Sequence, residues 1–158
     1  MTSLPKVLLP RAALRCIETQ AEAAYPQECC GLLVGTRNAA SVTISCAEAS
    51  ANVAGETAGV DARRRFEVDP ALSLKLHKSL RHSDQRLVGV FHSHPEGPAK
   101  PSAHDLSRAW QPELAWLVTA VAKGRAGATG AFFLSTDTKP RFVELELAVV
   151  DDENGSKA

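Results

Sequence analysis

Apolar residues recur three or four positions apart in two stretches of this chain, and that spacing predicts helices. The first stretch predicts an amphipathic helix over about residues 10–24. Its apolar positions are Leu14, Ile17, Ala21 and Ala24. A second helix is predicted to begin at Asp69-Pro70 and to end near His82. Its apolar stripe consists of Leu72, Leu76 and Leu80. A short third helix is expected to begin at Ser102 or just after it.

Continuous or alternating apolar runs predict the strands. The runs are CGLLVGTR, SVTISCAEA, RLVGVF, LAWLVTAVA, GAFFLS and RFVELELAVV. The turn-like Asn38 separates the first two and predicts a hairpin. The order α-β-β-α-β-α-β-β-β therefore predicts a single α/β (α+β) domain, with a mixed, mostly antiparallel sheet flanked by helices.

Two segments lack either pattern. Residues 47–65 are small, polar and glycine-containing, which predicts a mobile surface loop. Residues 151–158 predict a disordered tail. The domain is accordingly expected to span residues 1–150.

Composition and charge narrow the classes of protein. A chain of 158 residues with 44% apolar content is long enough to bury one sizeable core. Its 18 basic and 18 acidic residues balance, so no overall field attracts nucleic acid or an anionic membrane. No signal-like N-terminus and no apolar run of about 18 residues is present, which predicts a cytoplasmic protein without a membrane span.

The four cysteines show no C-x-x-C spacing, which argues against a disulfide framework and against a cysteine-rich zinc module. They are Cys16, Cys29, Cys30 and Cys46. Buried free thiols are the simplest interpretation. Adjacent Cys29 and Cys30 point to opposite faces of a strand, so at most one of them is poised as a catalytic nucleophile.

His92 and His94 lie two positions apart at the end of a predicted strand, so both rings project from one face. Neutral imidazoles suit zinc, and a catalytic zinc with three protein ligands keeps a fourth position for water. Asp105 is the natural third ligand, on the helix after a proline-rich loop, and His104 competes with it. Ser102 and Asp105 also match a capping box, which serves helix stability alone.

Other polar and aromatic residues have structural interpretations as well. Glu28, before the first strand of the hairpin, is by itself typical of an exposed turn carboxylate. The run Arg63–Arg65 is typical of a solvated cluster, although it suits an acidic partner surface. Trp110 and Trp116 are expected in the core.

The run His-Ser-His-Pro, then Ser102 after six residues, then Asp105, with Glu28 upstream, resembles the JAMM motif of the MPN-type metallopeptidases. The stretches YPQECCGLLVG, RRFEVDP and LVGVFHSHPEGPAKPSAHDLSRA resemble the compact prokaryotic members. The resemblance implies one Zn²⁺ per chain, held by His92, His94 and Asp105. It also implies that Glu28 carries a proton from water to the leaving amine and that Ser102 stabilises the oxyanion.

The same resemblance implies the substrate. The compact members trim or release the C-terminal Gly-Gly tail of small ubiquitin-like sulfur-carrier proteins, so such a carrier is the expected partner. Two alternatives stay open, an inactive MPN scaffold that binds partners and a zinc hydrolase of a small amide or peptide. The sequence predicts no oligomeric state.

Overall fold

The structure is a computed structural model that describes residues 3–109 and 111–152. Its helices are α1 (Arg11–Ala24), α2 (Pro70–Ser79) and α3 (Ala103–Arg108), with a 3-10 turn at Val53–Glu56. Its strands are β1 (Lys6–Pro10), β2 (Cys30–Arg37), β3 (Ser41–Ser50), β4 (Arg86–Pro95), β5 (Ala115–Ala122), β6 (Arg125–Ser135), β7 (Arg141–Leu145) and β8 (Leu147–Val150).

All eight strands belong to one sheet, in the order β7-β6-β5-β4-β2-β3-β1-β8. The neighbours β2–β3, β2–β4, β5–β6 and β6–β7 are antiparallel. The neighbours β1–β3, β1–β8 and β4–β5 are parallel. The predicted fold class, a mixed and mostly antiparallel sheet with helices, is confirmed. Strand β4, which carries the two histidines, lies in the interior of the sheet.

The sheet curls around α1. Only Glu146 separates β7 from β8, yet these strands occupy opposite ends of the strand order. The carbonyl of Glu146 accepts a hydrogen bond from the N–H of Val7 in β1 (2.9 Å), which closes the curve. Helix α1 contacts β1, β3, β4, β5, β6 and β8 and buries Ala13, Ile17 and Ala21 against the concave face. Each large apolar side chain buried in this way contributes roughly 1.5–3 kcal/mol.

Alternation along β4 separates the core from the histidines. Phe91 is fully buried in the cluster around α1. Val90 points to the other face, where it packs with Trp116 of β5 and Leu76 of α2. His92 follows Phe91 and therefore shares the face of Val90. The sheet thus presents its histidines on the side opposite α1.

Close approach of β2 to its neighbours requires glycine at position 31. A methyl group there would collide with the carbonyl of Glu48 in β3 and with the ring of Phe91 in β4. Gly31 lets the ring of Phe91 lie directly under β2. The same contact brings the beginning of β2, and Glu28 before it, close to the end of β4.

Most predicted elements are confirmed, with shifted ends. Helix α1 ends at Ala24 as predicted, whereas α2 ends at Ser79, before His82. Strand β1 was missed because it is a five-residue segment bounded by proline. The single strand predicted at RFVELELAVV is wrong, since it divides into β7 and β8. The hairpin at Asn38 is confirmed, with Asn38 Oδ1 accepting from two backbone amides.

The prediction of a loop over residues 47–65 is wrong in part. Its first four residues extend β3 to Ser50, and a 3-10 turn follows. Ala54 and Ala62 are buried. The reason is Asn52, whose side chain hydrogen-bonds with backbone groups of both arms of the segment.

Some of the predictions concern residues that lie outside the described part of the chain. Trp110 is one of them, and so are residues 153–158 of the predicted tail, while Trp116 is confirmed as buried. Asp152 is described, and its Oδ1 accepts from the N–H of Ala12 in the first turn of α1 (2.8 Å). The domain boundary at 150 stays a prediction. Among the described residues, no helix is long and apolar enough to cross a membrane.

Candidate metal centre

Two imidazoles meet at the carboxyl end of β4. The Nε2 atoms of His92 and His94 lie 3.0 Å apart, as two side chains on one strand face allow. The side chain of His92 is fully buried and that of His94 is 11% exposed. The ring of Phe66 stacks on His92, with centroids 4.2 Å apart and planes at 18°. The stack covers one imidazole and leaves the other at the mouth of a cavity.

Asp105 supplies the third atom. Its Oδ2 lies 3.0 Å from His92 Nε2 and 3.1 Å from His94 Nε2. His104, the neighbouring residue on α3, makes no hydrogen bond to either ring among the described contacts and lines cavities on both sides of the helix instead. The structure therefore brings Asp105, and not His104, to the histidine pair.

The three atoms fit a small cation with a tetrahedral preference. They form a triangle with sides of 3.0, 3.0 and 3.1 Å. Zinc with bonds of about 2.1 Å in a tetrahedron holds its ligand atoms about 3.4 Å apart. Outward shifts of a few tenths of an ångström would match that spacing, and a fourth direction stays open for water.

The tautomer of His94 supports the same conclusion. Its Nδ1 lies 3.0 Å from the carbonyl oxygen of Pro98, which only accepts, so Nδ1 carries the proton. In the neutral ring, Nε2 then presents a lone pair to the carboxylate oxygen of Asp105. Two lone pairs at that distance require a proton or a cation between them. A backbone carbonyl that orients a histidine in this way is a usual second partner of metal-binding imidazoles.

Two buried polar atoms have no hydrogen-bond partner among the described residues, His92 Nδ1 and Glu28 Oε1. Glu28 is only 4% exposed. Buried polar atoms are almost always satisfied, so an orphan beside converging ligands indicates a group that acts on something brought into the site. The potential ligand atoms of Glu28, His92 and His94 all lie within 4.8 Å of one another.

The carboxyl groups of Glu28 and Asp105 have pKa values that are shifted in opposite directions. Burial raises the pKa of Glu28 to about 8, opposed by the nearby charges of His94 and Arg65 and assisted by that of Asp105. Burial acts in the same direction on Asp105, but hydrogen bonds to the two histidines outweigh it and hold its pKa well below the usual range. The lowered pKa favours Asp105 as an anion, the form in which a carboxyl group binds a metal, whereas the raised pKa of Glu28 favours a carboxyl that can exchange a proton.

The pKa values of His92 and His94 are also shifted in opposite directions. Burial lowers the pKa of His92, and the attraction of Asp105 only partly opposes it. Burial also opposes the charge of His94, but there the hydrogen bond and the charge of Asp105 outweigh it, and its pKa is raised. Without a cation, a proton on His94 is therefore what balances Asp105.

Glu28 is held by backbone contacts on both sides. Its N–H donates to the carbonyl of Ala62 (2.8 Å), and its own carbonyl accepts from Asn52 Nδ2 (3.0 Å). The next residue, Cys29, donates its N–H to the Oγ of Ser93 (2.8 Å). These contacts anchor the beginning of β2 to β4 and leave the Glu28 carboxyl aimed at the histidines.

Ser102 forms the predicted capping box. Its Oγ accepts from the N–H of Asp105 (3.0 Å), and Asp105 Oδ2 accepts from the N–H of Ser102 (2.8 Å). Capping uses the serine oxygen only as an acceptor, so its hydroxyl hydrogen stays free to donate. Ser102 is exposed and lines one cavity together with Glu28 and His94. The structural and the catalytic interpretations of Ser102 are compatible.

The adjacent cysteines do not suit thiol chemistry. Burial raises the pKa of Cys29 to about 11 and that of Cys30 to about 12. A reactive cysteine needs a lowered pKa and access to solvent. All four cysteines are free, and these two are buried, which confirms the simplest interpretation of the pair.

Sequence reasoning missed three supporting residues. Ser93 lies inside the His-Ser-His run. Strand alternation places its side chain on the face opposite the rings, and that was the available signal. Phe66 stacks on His92, and nothing local signals that contact. Asn52 lies in the segment that was predicted to be a loop. Its residue type was the available signal, because asparagine side chains often hydrogen-bond to the backbone of turns and loops.

Two cavities lie on either side of α3. One, of about 490 Å³, is lined by Glu28, His94, Ser102 and the Arg63–Arg65 run. The other, of about 300 Å³, has mostly apolar walls. Its apolar walls include Leu32, Phe66, Val90 and Trp116. One cavity therefore reaches the candidate centre beside Glu28 and His94, and the other reaches it beside Asp105.

Comparison with protein families and with curated proteins shows what this chain is similar to. The model described as prokaryotic homologs of the JAB domain matches residues 10–134. The chain is 36% identical over 93 residues to the desampylase of Haloferax volcanii, which is 59% of this chain and 62% of that protein. It is 39% identical over 69 residues to a probable TtuB-protein conjugate cleaving protease of Thermus thermophilus, which is 44% of this chain and 43% of that protein. The matched segment thus spans less than two thirds of either relative.

Solved structures match more of the chain. The solution structure of a protein from Desulfitobacterium hafniense has a TM-score of 0.77 and 26% identity, with 94% of this chain and 95% of that chain covered. The solution structure of a protein from Salinibacter ruber has a TM-score of 0.66 and 27% identity, with 92% of each chain covered. The curled sheet and its helices are therefore a shared fold.

Proposed function

We propose, from the premise that this chain belongs to the family of prokaryotic homologs of the JAB domain, that it is a zinc peptidase of the JAMM type. The observation that carries the proposal is the convergence of His92, His94 and Asp105 beside the buried carboxyl of Glu28. Three ligands with an open fourth position are typical of catalytic zinc, whereas structural zinc sites are closed.

His92 and His94, as neutral imidazoles, and Asp105, as an anion, would hold one Zn²⁺ per chain. Bound there, zinc supplies Lewis acidity and lowers the pKa of a coordinated water to about 7. Pro98 fixes the ring of His94 through Nδ1, and Ser102 fixes Asp105 through the capping box. Chain contacts of this kind hold the ligands in place before the metal arrives.

Glu28 moves the proton. Amide hydrolysis forms a bond from the water oxygen to the carbonyl carbon and breaks the bond from carbon to nitrogen. The carboxylate of Glu28 takes a proton from water in the first step and gives one to the leaving amine in the second. Proton transfer by a group placed in this way contributes typically 10²–10⁴-fold.

Ser102 donates its free hydroxyl hydrogen to the oxygen on which negative charge develops. One such donor is worth roughly 10²–10³ in rate.

The substrate we propose is a small ubiquitin-like sulfur-carrier or modifier protein, cut after its C-terminal Gly-Gly. The names of the two curated relatives support this class, since one is a desampylase and the other is named for cleaving TtuB–protein conjugates. We further propose a cytoplasmic location, which accords with four free cysteines. Because the site lies at the carboxyl end of β4, the tail reaches it across the strand ends.

Zinc per chain and cleavage of a carrier extended beyond Gly-Gly test the proposal together. Glu28→Ala is expected to keep zinc and lose cleavage, while Asp105→Ala loses much of both. The matched control is His104→Ala, which is expected to keep zinc. Full zinc in Asp105→Ala with loss in His104→Ala would overturn the ligand set, and undiminished cleavage by Glu28→Ala would remove the base.

The alternatives give different results. An inactive scaffold binds a carrier without cutting it, and the intact set of Glu28, His92, His94 and Asp105 disfavours that class. A hydrolase of small amides cuts a short Gly-Gly peptide as fast as the folded carrier does. A clear preference for the folded carrier therefore supports the proposed substrate.

A further inference from the structure

The cavity that contains Glu28, His94 and Ser102 has a rim of three consecutive arginines, Arg63–Arg65. The cavity measures about 490 Å³, enough for a small peptide segment. These charges face the space beside Glu28, where a scissile amide must lie. Neither the ligand set nor the proton transfer uses them.

The three arginines are not equivalent. Arg63 is neutralised by Asp61, through Nε to Oδ1 (3.1 Å) and Nη2 to Oδ2 (3.2 Å). No carboxylate of a described residue forms an ion pair with Arg64 or Arg65 within 4.0 Å. The guanidinium of Arg65 uses one N–H, from Nη1 to the carbonyl of Arg64 (2.9 Å). Two cationic groups are thus available at the rim.

The backbone of Arg65 is anchored beside that of Glu28. Its carbonyl accepts from Asn52 Nδ2 (2.9 Å), and the same amide nitrogen donates to the carbonyl of Glu28 (3.0 Å). Arg65 is half-buried, unlike the exposed Arg64. One side chain therefore sets the positions of the proposed base and of the arginine together.

The acidic residue at the rim is already engaged. Glu96 also lines the cavity, but its Oε1 accepts from the hydroxyl of Tyr25 (2.7 Å) and from the N–H of Lys123 (2.7 Å). These hydrogen bonds hold the pKa of Glu96 below its usual value. Glu96 therefore stays negative, but with Arg63 paired to Asp61 the charges of Arg64 and Arg65 exceed that of Glu96, and the rim favours an anion on the substrate.

We propose that Arg64 and Arg65 form a carboxylate-binding subsite for the free C-terminal carboxylate of the residue that is released when the bond after Gly-Gly is cut. The inference rests on the proposed function. A guanidinium binds a carboxylate through two parallel hydrogen bonds, which gives direction as well as charge. In a released C-terminal residue, the carboxylate lies only one Cα away from the leaving nitrogen.

The subsite lies on the leaving-group side. Glu28 gives its proton to the departing amine, so the cavity that contains Glu28 receives that amine. The cavity across α3, with Asp105 as well as Phe66 and Trp116 in its walls, is left for the tail on the acyl side. A lysine side chain in the middle of a conjugated protein presents no carboxylate at this position. The subsite thus favours trimming of a one-residue extension over release of lysine conjugates.

Binding to an uncleaving enzyme tests the subsite apart from the chemistry. In the zinc-loaded Glu28→Gln background, the probes are fluorescein-labelled hexapeptides that end in Gly-Gly-Ala, one with a free carboxylate and one with a carboxamide. We expect the carboxylate peptide to bind at least 10-fold more tightly. Adding Arg65→Gln, or Arg64→Gln, should abolish most of that preference, whereas the exposed Arg81→Gln at the end of α2 should keep it.

Two other results contradict the subsite, and a third contradicts only the proposed function. Equal binding of the two peptides, including no binding of either at millimolar concentration, contradicts it. Equal loss of both peptides in Arg65→Gln shows that Arg65 supports peptide binding without recognising the carboxylate, which contradicts the subsite. A carboxylate preference that depends on Arg64 and Arg65, in an enzyme that cuts no extended carrier, keeps the subsite and removes the proposed function.

Discussion

The hydroxyl oxygen of Ser93 accepts a hydrogen bond from the backbone N–H of Cys29 at 2.8 Å. The N–H of Ser93 donates in return to the carbonyl of Cys29 (3.2 Å). Ser93 lies between the two histidines of β4, and Cys29 follows Glu28. The pair therefore joins the strand of the proposed ligands to the residue beside the proposed base, from the face opposite the imidazoles.

Replacing Ser93 with alanine tests that link. The N–H of Cys29 is buried and would lose a partner, which destabilises a protein by about 1–3 kcal/mol. We expect the free energy of unfolding in urea to fall by that amount. Zinc per chain should change little, while the rate of cleavage should fall at least 10-fold, because the beginning of β2 is released from β4.

The control is Ser79→Ala at the exposed end of α2, where the serine Oγ only donates to the carbonyl of Leu76. It should change the unfolding free energy by less than about 0.5 kcal/mol and leave cleavage intact. Loss of zinc in Ser93→Ala, with cleavage and zinc falling in proportion, would show that Ser93 supports the histidines rather than Glu28.

Periodicity was sufficient for the elements that surround the site, and insufficient for their closure. The spacing of Leu14, Ile17 and Ala21 reports one buried face of α1 and needs no knowledge of the partner. The junction at Glu146 does not show in the sequence, because RFVELELAVV alternates cleanly across it. Only the curl of the sheet, which depends on all the strands, separates β7 from β8.

The residues of the candidate site also differ in whether local sequence patterns predict their positions. His92 and His94 are two apart on a strand, so local geometry alone places both rings on one face. Asp105 reaches them from α3 across a ten-residue gap, which ligand chemistry favours but strand geometry cannot place. Asn52 joins segments that are distant in sequence, and no period in the chain encodes such a contact.

Asn52 is predicted to align Glu28 as well as to hold its own segment. Asn52→Ala would leave the carbonyls of Glu28 and Arg65 without their shared donor and the N–H of Glu67 without its acceptor. We expect a loss of roughly 2–4 kcal/mol in unfolding free energy, from several buried groups left unpaired. At a temperature where the variant is folded, kcat should fall more than KM rises.

Asn52→Asp separates the two roles of that side chain, since it keeps an acceptor for Glu67 but removes the donor for Glu28. It should recover part of the stability and little of kcat. Equal recovery of both would mean that Asn52 acts on stability alone.

The metal-free protein is predicted to lose stability as pH rises, through Glu28. Its pKa of about 8 lies above the ordinary value of 4.5, so its contribution is complete below pH 4.5 and disappears as pH rises through 8. Glu28→Gln cannot ionise. The free energy of unfolding of the variant, relative to that of the parent, should therefore increase between pH 5 and pH 9, by on the order of a few kcal/mol.

The comparison of parent and Glu28→Gln cancels the groups that do not interact with Glu28. His94 is the exception, because the charge of Glu28 contributes to its raised pKa, and the difference between the two proteins includes that coupling. Asp105 titrates below this pH range in the folded state. Chelator-treated protein, unfolded by urea at several pH values, gives the difference. A difference that does not vary with pH would contradict the burial of an ionisable Glu28.

Ser102 combines a structural and a chemical role, and two substitutions separate them. Alanine at an N-cap costs about 0.5–2 kcal/mol, whereas glycine costs only a few tenths. Ser102→Gly should therefore be nearly as stable as the parent, and Ser102→Ala less stable. Both lack the hydroxyl hydrogen, so both should lose about 10²–10³ in kcat if that hydrogen is donated to the developing oxyanion. If cleavage instead follows stability, with Ser102→Gly active and Ser102→Ala impaired, Ser102 serves only to cap α3 and to hold Asp105, and the oxyanion donor must be sought elsewhere.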